Sequence, residues 1–358
     1  MPEIIDVRSR LMELPLKDPF ETAKGSKTSS PAVIIEIRLS DGTCGLGSVT
    51  PVQYVTEEDT ESVINAVGAI SDFLVGCDTS RYGPLFQTLA EELPTQHSAR
   101  AGLEMAVFDA FCKQTDIPMC NFFGGNTPYV ETDLTIPIVP PETARELARK
   151  AHAAGFKYLK IKVGSKNPDE DIERVIAVSE GAPKSGIRLD ANQGFEPEFA
   201  ISFVSSLRKS GVKVDMLEQP VDRHDIDGLR YVTEYTSVPV FADESCVTPA
   251  DAVTLIRLGA VDGINVKLMK CGFSGALEII SLCRAAKKEL MLGCMIESGI
   301  GLSAAVHLAC GTGAFGRLDL DAHILLSPDD RFSQGFIADG PTLSVDDTIP
   351  GHGGVVEN

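Results

Sequence analysis

Charged residues in this chain recur where apolar runs stop. Lys160 and Lys162 close one run, Asp190 a second, Glu218 a third and Asp243 a fourth. Lys267 closes a later one, and Glu297 and the Asp319-Leu320-Asp321 triplet follow two more. Asp190, Glu218 and Asp243 offer only oxygen donors, with no His or Cys among them. Such a set suits a hard divalent cation, Mg²⁺ with Mn²⁺ as a substitute, one ion per chain. The plain alternative is three separate ion pairs with lysines or helix N-termini. Lys160 lies two residues before Lys162, so both point to the same side of a strand. A second ammonium and a nearby cation both lower the pKa of Lys162, which makes it a usable base near neutral pH. Lys162 and Lys267, placed on opposite faces of one carbon, would remove a proton from one side and return it from the other. The metal would hold a substrate carboxylate and stabilise an enediolate.

The elements that must position these groups follow from the hydrophobic pattern. Residues 4–14 and 31–39 read as strands, with an Asp41-Gly42 turn and a short third strand over 43–48. Helical patterns follow over 57–74, 81–93 and 98–113, and this segregation of strands from helices predicts an α+β unit. The intervening segment 20–30 is polar and rich in small residues and is expected to be a mobile loop. From about residue 132 strands alternate with helices. The strands are 132–139, 158–163, 186–190, 214–218, 238–243, 263–268, 290–296 and 316–320, with helices such as 143–154, 169–179, 196–209, 249–258, 275–288 and 302–309 between them. Alternation of this kind predicts a parallel sheet, and eight strands suffice to close a barrel. An open doubly wound sheet is the competing architecture. In a barrel the charged strand ends share one mouth, where barrel active sites are built. Strands two and six, which carry Lys162 and Lys267, then lie opposite, with the acidic strands between them.

Composition narrows the function further. The chain has 358 residues, 43% of them hydrophobic, and a formal net charge of −19. A surface so acidic disfavours nucleic acid and anionic membranes as partners. No apolar run approaches a membrane span and the N-terminus shows no signal-peptide core, so a cytoplasmic protein is expected. Nine cysteines form no CxxC pair and sit mostly in apolar runs, as buried reduced thiols do.

Taken together, KIK at 160–162, DAN at 190–192, EQP at 218–220, DES at 243–245 and INVKLMKCG at 264–272 resemble the enolase superfamily, in its muconate-cycloisomerase subgroup. The resemblance spans nearly the whole chain. It implies a modified TIM barrel, (β/α)₇β over 126–326, and an α+β capping domain over 1–125 joined by the returning segment 327–358. It also implies metal ligation by Asp190, Glu218 and Asp243, acid–base roles for Lys162 and Lys267, and a tuning role for Lys160. Asn192 and Glu244 would support the site, and Glu297 would support it or face the substrate. The DLD triplet is similar to the dipeptide epimerase signature, in which Asp319 and Asp321 hold a free α-ammonium. Two carboxylates at one strand end make a physically sensible ammonium site. The implied substrate is a small L-Ala-L-Xaa dipeptide. Lys24 in the first capping loop and Thr56 in the second would meet its side chain, and Ile296 would add an apolar wall. Xaa is then hydrophobic or Glu, with Glu57 leaving cationic side chains open. Homo-oligomers occur in the family, but no interface is readable here.

Rival activities use the same residues less fully. N-succinylamino acid racemases take a neutral acylated nitrogen, and o-succinylbenzoate synthases and cycloisomerases need no ammonium site. A Schiff-base aldolase would use Lys267 and leave the three acids idle. A non-catalytic binding protein would have no use for paired lysines.

Overall fold

The computed structural model describes residues 2–357. Three antiparallel strands open the chain: β1 (Ile4–Thr22), β2 (Gly25–Leu39) and β3 (Cys44–Val49). Helices α1 (Gln53–Thr56), α2 (Thr60–Leu74), α3 (Tyr82–Glu92), α4 (His97–Gln114) and α5 (Met119–Phe122) follow. Val33, Ile35, Ile37 and Leu39 of β2 are buried on one face in the main core, and Ala32 and Ile34 are buried on the other face with Met12, Leu14 and the returning C-terminal segment. Gly45 and Gly47 let β3 lie directly on α4: a Cβ at either would stand 2.1 Å from a backbone oxygen of that helix. α4 is buried on all sides because it also packs against the barrel. Its Glu104 reaches across and accepts hydrogen bonds from Ser274 N (2.9 Å) and Ser274 Oγ (2.6 Å).

The segment 20–30 is not a mobile loop. β1 and β2 continue as a hairpin, with Phe20 opposite Lys27 and Thr22 opposite Gly25, so that Ala23 and Lys24 form the turn. Distant residues hold it there. Leu16 and Phe20 pack with Ile296, Leu325 and Leu326, and Lys17 Nζ donates to Ile324 O at 2.8 Å. Such contacts leave no local signature in the sequence.

After the short β4 (Tyr129–Glu131), strands and helices alternate: β5 (Leu134–Ile136), α6 (Pro141–Ala153), β6 (Tyr158–Lys162), α7 (Pro168–Gly181), β7 (Gly186–Asp190), α8 (Pro197–Lys209), β8 (Val214–Glu218), α9 (Ile226–Tyr235), β9 (Val240–Ala242), α10 (Pro249–Leu258), β10 (Gly263–Val266), α11 (Leu268–Ala286), β11 (Glu289–Gly293), α12 (Gly299–Thr312) and β12 (Arg317–Asp319). The eight strands β5 to β12 form one parallel sheet in sequence order, which excludes the doubly wound alternative. Hydrogen bonds from Asp133 N to Leu318 O (3.1 Å) and from Leu320 N to Thr132 Oγ1 (2.7 Å) join its two edges into a barrel. Strand side chains point alternately outward to the helices and inward to the barrel. Met216, Phe241 and Met291 make an apolar cluster inside it, and Glu218 and Asp243 lie two residues further along two of those strands.

α13 (Ala322–Leu325) and the short strands β13 (Phe332–Ser333), β14 (Ile337–Asp339), β15 (Thr342–Ser344) and β16 (Val355–Val356) complete the chain. This last segment returns to the first. His352 N donates to Asp109 Oδ1 of α4 at 3.0 Å, and His352 Nε2 donates to Leu46 O of β3 at 2.9 Å. Among the described residues no helix is long and apolar enough to cross a membrane. All nine cysteines are free, seven of them buried.

Candidate active site

The charged strand ends meet under the cap. Lys160, 1% exposed, is the hub. Its Nζ lies 3.0 Å from Asp190 Oδ2, 3.0 Å from Glu218 Oε2 and 2.7 Å from Asp319 Oδ2. Burial opposes its charge, but these carboxylates outweigh burial and raise its pKa. Lys162 Nζ donates to Asp190 Oδ2 at 2.6 Å, and on the far side Lys267 Nζ donates to Asp243 Oδ2 at 2.8 Å. Between β6 and β10 run β7, β8 and β9, so the three acidic strand ends separate the two lysines. Burial would raise the pKa of Asp190 and Asp243. Lys160 and Lys162 in one case, and Lys267 and Lys270 in the other, hold them well below the carboxylate range.

Residues not singled out in the sequence complete this ring. Lys270 Nζ donates to Asp243 Oδ1 (2.8 Å), Asp243 O (2.6 Å) and Asn265 O (2.9 Å). Asn265 Nδ2 donates to Glu218 Oε1 at 2.8 Å. Asn265 lies two positions before Lys267, so strand alternation alone would have placed it inside the barrel. Thr135 serves the acidic pair at the barrel's closing edge. Its N donates to Asp321 Oδ2 (2.6 Å) and its Oγ1 to Asp319 Oδ1 (3.3 Å).

Acids outnumber lysines here, and the imbalance is visible. Glu218 and Glu244 are each pushed up to about 7, first by burial and then by neighbouring carboxylates. Asn192 donates to Glu244 Oε1 at 3.2 Å, yet Asn192 Oδ1 and Glu244 Oε2 are buried without a hydrogen-bond donor. No group of three His, Cys, Asp or Glu side chains among the described residues stands ready as a metal cage, because lysines occupy the carboxylates. The donor chemistry nevertheless fits a hard divalent cation: all oxygen, fully buried and short of positive charge.

Comparison with known proteins agrees with this architecture. Residues 4–124 match the mandelate racemase/muconate lactonizing enzyme N-terminal domain, and residues 142–357 match the enolase C-terminal domain-like family. The chain belongs to the mandelate racemase/muconate lactonizing enzyme family. One relative is the L-Ala-D/L-Glu epimerase of Thermotoga maritima, 35% identical over 97% of this chain and 100% of that protein. A substrate-liganded complex of the L-Ala-D/L-Glu epimerase from Bacillus subtilis superposes with a TM-score of 0.95 at 33% identity, covering 98% of both chains. A dipeptide epimerase from Enterococcus faecalis, complexed with Mg and the dipeptide L-Leu-L-Tyr, has a TM-score of 0.94 at 32% identity, covering 99% of both.

In this member of the mandelate racemase/muconate lactonizing family, the cap-borne residues differ from the sequence reading. Lys24 is exposed at the hairpin turn and does not line the cavity. Lys27 does, and it has no hydrogen bond or ion pair among the described residues. Burial, then the neighbouring Lys162, lowers the pKa of Lys27. Thr56 is buried away from the cavity, within 3.0 Å of Ser98 Oγ; Val52, Tyr54 and Val55 line it instead. Ile296 contributes a wall as expected, with Phe20 and Leu325. Glu297 is buried and does not line the cavity. Its carboxylate accepts from Met295 N at 3.3 Å, and burial pushes it up to about 8. Asp319 and Asp321 both line the cavity.

Proposed function

We propose that this chain is a Mg²⁺-dependent dipeptide epimerase, an isomerase that inverts the α-carbon of the C-terminal residue of L-Ala-L-Xaa dipeptides. One observation carries the reading: lysines from opposite sides of the barrel flank three acids, and a further acidic pair lines the same cavity. Held by Asp190, Glu218 and Asp243, the metal would supply positive charge that makes a substrate carboxylate an electron sink.

The chain's own residues account for the rest. Lys162 and Lys267 face the α-carbon from opposite sides. The neutral lysine takes the α-proton, and the ammonium across the cavity delivers one to the other face. The reverse reaction exchanges their roles. Each lysine is paired to an acid from the metal set. Lys160 keeps Asp190, Glu218 and Asp319 together without itself facing away from them. Asp321, pushed up to about 6 by burial and then by Asp319, lacks a cation of its own. A substrate α-ammonium at this pair supplies one, which selects a free dipeptide over an N-acyl amino acid. Phe20, Val55, Ile296 and Leu325 give the side chain of Xaa an apolar enclosure, and Lys27 gives it one cation. Hydrophobic residues and Glu both suit that lining.

Solvent deuterium uptake tests the proposal. The protein is incubated with Mg²⁺ in D₂O with pooled L-Ala-L-Xaa dipeptides and, separately, pooled N-acyl amino acids. A one-dalton gain in particular dipeptides, with inversion seen by chiral analysis, is expected. Gain confined to the N-acyl pool would make the protein an acylamino acid racemase. No gain in either, with Mg²⁺ bound, would end the epimerase reading.

A further inference from the structure

The capping segment after β3 carries Val52, Tyr54 and Val55 into the cavity, yet it is only one helical turn, α1, ending at Glu57 in a left-handed conformation (φ 64°). A four-residue helix has too few internal hydrogen bonds to hold itself. From the cap side, the Glu58 carboxylate accepts from Ser98 N (2.6 Å) and Ala99 N (3.2 Å) at the start of α4. Those bonds fix the base of the segment. Its cavity-facing part is held from the barrel. Arg223 Nη1 donates to Val55 O at 2.7 Å and lies 3.8 Å from Glu57 Oε1. Val55 O is one of the terminal helix carbonyls that has no partner within α1, so the guanidinium acts as its cap.

Arg223 is itself anchored to the loops that follow the three acidic strand ends. It lies five residues beyond Glu218. Its N donates to Gln193 Oε1 (3.0 Å) in the loop after Asp190, and its O accepts from Ser245 Oγ (2.9 Å) in the loop after Asp243. Gln219 ties the set together: its Oε1 accepts from Asp243 N (3.0 Å) and Ser245 N (3.1 Å), and its Nε2 donates to Ser245 Oγ (2.8 Å). A continuous path of hydrogen bonds therefore runs from the carboxylate-bearing strand ends through the Arg223 backbone to the guanidinium and the cap.

We propose that Arg223 is a positioning residue that clasps the 52–57 segment over the cavity and sets the wall met by the substrate side chain. This deepens the epimerase reading and rests on it for substrate, but the clasp can be read without substrate. In hydrogen–deuterium exchange of the full chain, Arg223→Met, which keeps the apolar stem and loses the donors, is expected to speed exchange of the Val55, Thr56 and Glu57 amides about tenfold. Arg223→Lys, which keeps one donor, should fall between. Calorimetry with Mg²⁺ should give an affinity within about twofold of the parent for both variants. With a turned-over dipeptide, Arg223→Met should raise KM about tenfold and change kcat less than about threefold, with partial rescue by Arg223→Lys. Unchanged exchange in Arg223→Met would overturn the clasp whether or not any dipeptide is a substrate. So would a fall in kcat at constant KM, which would place the role of Arg223 at the strand ends. Failure of every dipeptide alongside faster exchange would overturn the substrate reading and leave the clasp standing.

Discussion

The barrel mouth and the cap that covers it solve different problems with different materials. At the mouth, Lys160, Lys162, Asp190, Glu218, Asp243 and Lys267 stand at the ends of parallel strands, at most 9% exposed, each bonded to at least one other member. The cap contributes a polar hairpin tip, anchored through Phe20, and one helical turn, both held by contacts with residues far away in sequence. Chemistry that needs ångström-scale placement sits on strands that cannot shift singly. In the proposed reaction, selectivity would rest on pieces that can be exchanged without disturbing them. Such a division would let proteins named for L-Ala-D/L-Glu and crystallised with L-Leu-L-Tyr keep one barrel; each superposes on this chain, at TM-scores of 0.95 and 0.94.

The comparison breaks if mouth substitutions are mild. Lys162→Ala or Lys267→Ala should each lower epimerisation by about 10³-fold, in the range of a lost general acid or base. Each should retain exchange of the α-proton of one enantiomer, read by deuterium uptake from separate L- and D-substrates. Equal loss of both exchanges in both variants would sink the two-lysine assignment. Next in size, Asp321→Asn should lower kcat/KM for free dipeptides by about 10²-fold, the scale of a buried charge-assisted pair. N-acyl amino acids, if turned over at all, should be affected far less. On the cap the effect should be a change of preference. Lys27→Met should shift the L-Ala-L-Glu to L-Ala-L-Leu ratio of kcat/KM by about tenfold toward Leu, in line with one partly buried charge. An equal fall for both dipeptides would move Lys27 from selectivity to general support of Lys162.

The seam between the two regions should barely affect turnover but should alter stability with pH. Burial pushes Glu104 up to about 7 from an ordinary 4.5. A raised carboxyl gives stability that is complete below the unfolded pKa and lost as pH rises through the folded one. Urea unfolding should therefore show Glu104→Gln gaining on the parent from pH 5 to pH 7.5, by at most about 3 kcal/mol at 1.36 kcal/mol per pKa unit. A constant difference across that range would mean Glu104 is ionised throughout.

The two regions also differ in how far the sequence discloses them. A lysine or aspartate directly after Leu-Xaa-Ile or Gly-Ile-Arg-Leu has few structural reasons to be there, so the ring was legible residue by residue, and the strands over 186–190 and 214–218 coincide with the structure. Asn265 was within reach by strand alternation. Lys270 was harder, because it enters the ring from the first turn of α11. The cap was read wrongly at Lys24, where facing the cavity depends on hairpin register, and at Thr56, which the turn of α1 directs toward Ser98 of α4. A shift of a few residues along β1 and β2 exchanges the exposed turn lysine for the lining one, and the packing that fixes that register lies near residues 296 and 325.

One bond has a consequence for synthesis. His352 closes on Leu46 across 306 residues of chain, with the whole barrel between them. The β3 surface that receives it leaves the ribosome early and must wait. At the usual 5 to 20 residues per second, that wait lasts about 15 to 60 s. Through it the first strands hold an unfinished face, while each successive barrel unit meets its neighbour almost as soon as it is made.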